Sequence, residues 1–393
     1  MFQNIYKIYT KLSSKRTWPV LLLGVLVLSG LVIILFNSSA KVAYQTKFEQ
    51  TFNISQKLKS FHVPAVSIAV IYQGQIDWAQ AYGTAQKETL IPAQSDTLFQ
   101  ACSLSKPVSA LAILELIQTG KLDIDKDING FLRGWHVLRT SFSSAPVTLR
   151  KLLSHTAGFQ TGRRPMYPQG HPLPTTLQIL TGSSPALSGA LELEFIPGQK
   201  FQYSGAGYTV IQLILEEYYQ KPFSELIKAH VLEPLKMENS TFVYPVPFDM
   251  HGKIAFGYNE QGNSMPYPYY NIADLTAGGL WTTPRDLAKF ILEIQKAMEN
   301  HGKILTQPMV IEMLTPLHDS FGLGLRVGGS GKNAWFAHGG DNAGYKALIF
   351  GFKNQGMGAV IMTNSDNGWS LCLEILEAIA LLYNWPIKPP QSF

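Results

Sequence analysis

Cysteine is nearly missing from this chain: Cys102 and Cys372 are the only two among 393 residues, and they form no CxxC pair. A disulfide-stapled scaffold and a thiolate zinc site are excluded by that count. Charge is sparse too, at 15% against 46% hydrophobic residues, which rules out a mainly disordered chain and leaves a packed one with a sizeable core. HExxH, a Walker loop, a complete GxGxxG, an EF-hand loop and a GxSxG elbow are all absent. Metalloprotease, nucleotide-binding and α/β-hydrolase chemistries therefore lose their main support.

The net charge of +5 points to no polyanion. Residues 1 to 48 hold six bases and no acid, so the other 345 residues sum to −1. A nearly neutral body argues against nucleic acid as a partner.

One long hydrophobic run is present. Trp18 to Phe36 is nineteen residues without a charge and with Ser29 as its single polar side chain. A helix of that length spans the roughly 30 Å hydrocarbon core of a bilayer. Lys7, Lys11, Lys15 and Arg16 precede it, which predicts a single-pass anchor in the cytoplasmic membrane, residues 1–17 inside and the body extracytoplasmic or periplasmic. Ser38 and Ala40 form a small-residue pattern that also fits a cleaved signal and a secreted body, although the apolar run exceeds the usual signal core of about 7 to 15 residues.

Strand signals lie at both ends of the body. Val66 to Tyr72, Gln73-Gly74 and Gln75 to Tyr82 read as a hairpin, and Ala347 to Phe352 and Ala359 to Asn364 flank a turn at 353–358. Helical spacing marks Pro107 to Thr119, Tyr208 to Tyr219, Phe223 to Leu232, Pro284 to Met298 and Leu371 to Tyr383. Thr283 and Asp286 form a capping-box pattern ahead of the fourth of these. The expected architecture is α+β: one antiparallel sheet built from the two chain ends, flanked by helices, with an inserted mostly helical domain. The boundaries expected are 1–45 for stub and anchor or signal, 46–105 with 270–393 for the discontinuous sheet domain, and 106–269 for the helical insertion.

Three short boxes carry reactive groups. Ser103-Leu104-Ser105-Lys106 precedes a long apolar helix, and a serine three residues before a lysine on one helical turn shares a face with it. A serine hydroxyl becomes a useful nucleophile when a neighbour takes its proton, and a lysine serves where burial or nearby positive charge lowers its pKa. The same spacing also describes an N-capping serine followed by a solvated lysine. The second is Tyr203-Ser204-Gly205 within the stretch Phe201 to Tyr208, preceded by Pro197-Gly198 and followed by another helix. The third is His338-Gly339-Gly340-Asp341, where glycines allow another backbone or a ligand to come close.

These boxes, roughly 100 and 135 residues apart, together with Val63-Pro64-Ala65-Val66, Leu152-Leu153-Ser154-His155-Thr156-Ala157-Gly158, Pro234-Leu235-Lys236-Met237 and Ala277-Gly278-Gly279-Leu280, resemble the serine β-lactamase and penicillin-binding-protein superfamily, most closely its class C β-lactamase-like serine hydrolases. The resemblance implies that Ser103 is the acylating nucleophile, Lys106 its proton-handling partner and Tyr203 the relay to the leaving group. It places His338, Gly339 and Gly340 along the substrate and the backbone N–H groups of Ser103 and Asp341 in the oxyanion hole. Whether Lys106 or Tyr203 is the base stays open.

Two departures stand out. Gly205 replaces an asparagine found in many relatives, and His338 replaces the lysine of class C enzymes. An imidazole is mostly neutral at pH 7, so carboxylate recognition should be weaker, and a small ester or a D-amino-acid peptide is favoured over a β-lactam. His155 belongs to a stretch that is a structural turn in the family. The expected activity is hydrolysis of an amide or ester through an acyl-enzyme, without metal or organic cofactor and without nucleic acid, with the membrane met through residues 18–36. The rival expectation is a membrane-tethered penicillin-binding sensor or binding module that does not turn over.

Overall fold

A computed structural model describes residues 44–138, 140–142, 144–161, 165–318 and 320–390. The apolar run 18–36 lies outside the described residues. Among those described, no helix is long and apolar enough to cross a membrane. The chain divides into two compact units, 1–51 and 52–393. Of the first, residues 44–51 are helical; everything below concerns the second.

The hairpin forms where the sequence places it, as β1 (Ala65–Tyr72) and β2 (Gln75–Gln86), with Gln73 and Gly74 both at positive φ in the turn. A short β3 (Ile91–Pro92) pairs with β2. From the other end of the chain come β6 (Arg326–Gly328), β7 (Trp335–Asn342), β8 (Tyr345–Phe352) and β9 (Gly358–Thr363). The seven strands form one sheet of order β3-β2-β1-β9-β8-β7-β6 in which every adjacent pair is antiparallel. The expected sheet built from both chain ends is thus the observed one. Its central strands β1, β8 and β9 are buried almost throughout, which is why they read as continuous apolar runs and not as alternating ones. A separate two-stranded pair joins β4 (Phe99–Gln100) to β5 (Trp281–Thr282).

A helix α1 (Ile54–Ser60) precedes β1; between the sheet halves lie α2 (Ser105–Gln118), α3 (Leu149–Leu153), α4 (Thr176–Thr181), α5 (Ala206–Tyr219), α6 (Phe223–Ile227), α7 (Leu275–Gly278), α8 (Pro284–Met298) and α9 (Gln307–Met313), and α10 (Gly368–Leu382) follows β9. The helix α2 is buried on almost every side, as its all-round apolar sequence requires, and packs against α5 and α7. It begins at Ser105, two residues before the expected Pro107.

The sheet is covered on both faces. Ile291 of α8 lies against the positions of Gly351 and Phe336, whereas Trp385, just past α10, stacks on Phe350. Successive strand residues point to opposite faces, so α8 and the region after α10 cover opposite sides. His338 and Gly340 follow Phe336 at even spacing and therefore face the α8 side.

The capping box ahead of α8 is only half formed. The Thr283 hydroxyl accepts from the Asp286 N–H, but the Asp286 carboxylate turns away and accepts from the Asn239 N–H, Ser240 Oγ and Lys289 Nζ. Two neutral donors on a neighbouring loop and the charged Lys289 one turn along the helix satisfy this buried carboxylate in place of the Thr283 N–H.

Candidate active site

The chain enters α2 through a tight turn. Cys102 has φ 54°, a left-handed conformation unfavourable for a residue with a side chain, and residues 102–104 form one turn of 3-10 helix that runs directly into α2. Ser103 rides on this turn. Ser105 braces it: its Oγ donates to the Cys102 carbonyl at 2.6 Å and accepts from the Leu280 N–H at 3.0 Å. One turn on from Ser103, the Lys106 side chain is 2% exposed. Its Nζ lies 3.0 Å from Ser103 Oγ and donates to the Ala277 carbonyl at 2.7 Å. The segment Ala277–Leu280 therefore holds the box at two adjacent residues, the lysine through one backbone group and Ser105 through another.

Tyr203, just ahead of α5, comes to the same place. Lys106 Nζ stands 5.1 Å from the centre of the Tyr203 ring. Tyr203 is 39% exposed, and its ring packs against the imidazole of His155, with centroids 4.2 Å apart. His155 sits at φ 59° in its turn, so the expected structural turn is present and in addition floors the tyrosine. Burial first, then the charge of Lys106, hold the His155 pKa well below its usual value.

Gly340 carries the third box against the first. A Cβ there would stand 2.6 Å from the Ala101 carbonyl oxygen and 3.0 Å from Cβ of Cys102, so only glycine lets β7 pass this close to the nucleophile's turn. His338 is 4% exposed. Its Nδ1 lies 2.6 Å from the Gly339 carbonyl, which can only accept, so Nδ1 carries the proton and Nε2 is left as an acceptor. Nε2 is buried without a hydrogen-bond partner. Burial, reinforced by Lys106, pushes the His338 pKa down to about 3.

Ser103, Tyr203, His338, Gly339, Gly340 and Asp341 border one cavity of about 450 Å³, with Lys106 buried behind Ser103. Three far-separated boxes thus converge. Phe201, two residues before Tyr203 in the second stretch, lines the same cavity, as do residues that no motif singled out: Phe321, Arg326 and Trp369. Arg326 is a lone cation in a glycine-rich stretch and Trp369 opens the terminal helix, so neither belongs to a recognisable pattern. The Ala277 role could not be read from a side chain, because the group used is its carbonyl.

Among the described residues, no cluster of three or more His, Cys, Asp or Glu is placed to hold a metal ion. Cys102 and Cys372 are free and buried, and burial raises both thiol pKa values, that of Cys372 to about 12.

The sequence profile of the family described as Beta-lactamase matches residues 53–380. "Protein flp" of Staphylococcus aureus (strain MW2) is 25% identical over 243 residues, covering 61% of this chain and 47% of that protein. The "Teichoic acid D-alanine hydrolase" of Staphylococcus aureus is 25% identical over 283 residues, 71% of this chain and 66% of that protein. Among solved structures, the octameric penicillin-binding protein homologue from Pyrococcus abyssi superimposes with a TM-score of 0.68 at 25% identity, covering 86% of this chain and 77% of that one. The chain spans about half the length of the flp protein it matches.

Proposed function

The chain belongs to the beta-lactamase family, and from that premise we propose that it is a serine hydrolase acting on a small ester or on a D-aminoacyl ester or amide. Ser103 Oγ attacks the carbonyl carbon while its proton passes to Lys106 or Tyr203. The leaving alcohol or amine departs with that proton. Water then attacks the acyl-serine, the acid is released and the hydroxyl of Ser103 is restored.

The observation that carries this reading is the 3.0 Å approach of a buried lysine nitrogen to a serine oxygen on the wall of an open cavity. A solvated lysine after an N-capping serine has no reason to be 2% exposed. The relative named as a teichoic acid D-alanine hydrolase supports a D-aminoacyl acyl group, and a neutral His338 supports a substrate that does not rely on an ammonium at that position. The proposal includes an anchor at residues 18–36 that holds the catalytic body outside the cytoplasm.

A fluorophosphonate probe tests the proposal. It should label Ser103 in the full chain and not in Ser103→Ala, and p-nitrophenyl esters should be turned over steadily. Labelling that persists in Ser103→Ala would assign the reactivity elsewhere, and stoichiometric acylation without release would make the protein a sensor.

A further inference from the structure

We propose that Gln212, on α5, is a positioning residue for the reaction: its amide oxygen holds the first turn of α7 and thereby aims the Ala277 carbonyl at Lys106 Nζ. The inference rests on the serine-hydrolase reading and adds to it a residue that lies outside every motif.

The size of α7 creates the need. It is one turn of four residues, yet its Ala277 carbonyl accepts from Lys106 Nζ at 2.7 Å, and just past it the Leu280 N–H donates to Ser105 Oγ at 3.0 Å. A helix this short is not stable through its own hydrogen bonds, and its first N–H groups find no acceptor within it. Asp274, at the capping position, makes no side-chain bond to the helix. The Thr276 N–H donates instead to Gln212 Oε1 at 3.2 Å, across 64 residues of sequence. The Thr276 hydroxyl donates to the Tyr208 carbonyl at 2.7 Å. The residue ahead of Ala277 is therefore tied to α5 through both its backbone and its side chain.

Gln212 is itself an anomaly in its helix. Residues 207–215 of α5 are all buried, and among their mostly apolar side chains stands this one primary amide, 2% exposed. A buried amide is unfavourable unless its hydrogen bonds are made, and here they are made on both sides. Nε2 donates to Thr176 Oγ1 at 2.8 Å and to Glu216 Oε1 at 3.2 Å. A backbone N–H can only donate, so the amide oxygen faces Thr276 and the nitrogen faces the other two. Thr176 and Glu216 thus keep the amide from turning over, and the acceptor stays on α7.

Three links lead from this amide to the nucleophile: the Thr276 N–H on Gln212 Oε1, the step along the chain to the Ala277 carbonyl, and Lys106 Nζ, which lies 3.0 Å from Ser103 Oγ. Thr276 is fully buried, so once the amide is gone its N–H has no water to turn to. The turn then shifts toward another acceptor, the Ala277 carbonyl shifts with it, and the ammonium leaves its distance from Ser103. Substrate contacts at the third box are untouched by this movement, which separates the effect on turnover from any effect on binding.

The test uses two variants of the full chain. Gln212→Met removes the acceptor at nearly constant shape, and Gln212→Asn keeps an amide that stops one methylene short. In both, kcat for a p-nitrophenyl ester should fall about 10- to 100-fold with KM within about twofold of the parent, the range for a reacting group displaced by a distant change. Deuterium uptake over residues 275–280, read by mass spectrometry, should quicken about fivefold, in keeping with one lost hydrogen bond. A merely structural role would lower Tm and leave kcat of the folded protein unchanged. An unchanged kcat in a folded variant overturns the assignment, as does a loss carried by KM. If Gln212→Met does not fold, Gln212→Asn decides; if neither folds, the residue is structural and the assignment is overturned. If the parent cleaves no ester and Ser103 takes no fluorophosphonate, the hydrolase reading fails by itself. Uptake over 275–280 then decides the hold on α7: quickening in the variants upholds it, and unchanged uptake overturns it.

Discussion

Replacing Gly340 with alanine probes the contact on which the site depends. The added Cβ would stand 2.6 Å from the Ala101 carbonyl oxygen, whereas ordinary contact begins near 3.4 Å, so the deficit (3.4 − 2.6) is about 0.8 Å. The second neighbour, Cβ of Cys102 at 3.0 Å, is tight as well. Neither atom is the far end of a flexible side chain, so the backbone of β7 or of the Ser103 turn must give way. Overpacking a filled interior costs about 1 to 3 kcal/mol. With a melting entropy of about 2.1 cal/mol/K per residue over some 340 residues, that lowers Tm by about 1.5 to 4 °C. The kinetic effect should be larger, because misplacing a reacting group by about 1 Å can lower a rate about 100-fold. The expected result is a fall of about 30- to 100-fold in p-nitrophenyl ester kcat/KM, carried by kcat, with a modest fall in Tm by scanning fluorimetry. Gly252→Ala, where nothing lies within 4 Å of the new carbon, should change neither quantity. A Gly340→Ala protein with full activity and an unaltered melt would refute the claim that this close approach sets the nucleophile.

Lys106→Ala and Tyr203→Phe should each lower ester turnover by at least about 100-fold, measured as kcat under saturating substrate; near-normal rates in both would remove the proposed relay. His338 governs a pH dependence of stability. Its folded pKa of about 3 lies below the unfolded value near 6.5, so the unfolded chain binds the extra proton between them, and stability is full above that window and is lost as pH falls through it. His338→Asn should therefore show a smaller loss in urea midpoint between pH 7.5 and 5 than the parent. His155 keeps acting in the same direction, so a residual slope is expected. A variant that reproduces the parent's slope would contradict the assignment.

Much of the fold is legible in the sequence because periodicity and turn chemistry act locally. Gln73-Gly74 marks the β1–β2 turn, and the apolar runs of β8 and β9 need no long-range information. The short pieces are harder. Arg326–Gly328 and the pair Phe99–Gln100 with Trp281–Thr282 are too brief for any period, and their pairing is decided by distant chain. Asp286 shows the same limit: the capping pattern is present, but a loop 46 residues away in sequence claims the carboxylate. At the site, Ser103, Lys106, Tyr203 and His338 are visible as motifs because their chemistry lies in side chains at fixed spacing. The Ala277 carbonyl, the ring of His155 beneath Tyr203 and the presence of Arg326 follow only from tertiary packing.

The place of β1 in the sheet has a consequence for biogenesis. One of its two edges is filled by β2 just after it, and the other by β9, which begins nearly 290 residues later. At about 5 to 20 residues per second, synthesis leaves that second edge bare for roughly 15 to 60 seconds. A bare edge of Val66, Ile68 and Val70 is a template for other strands. A chain cut short before Gly358 should therefore aggregate instead of surviving as a weakened enzyme, and a nascent chain should acquire its nucleophile only once its last strand has been delivered.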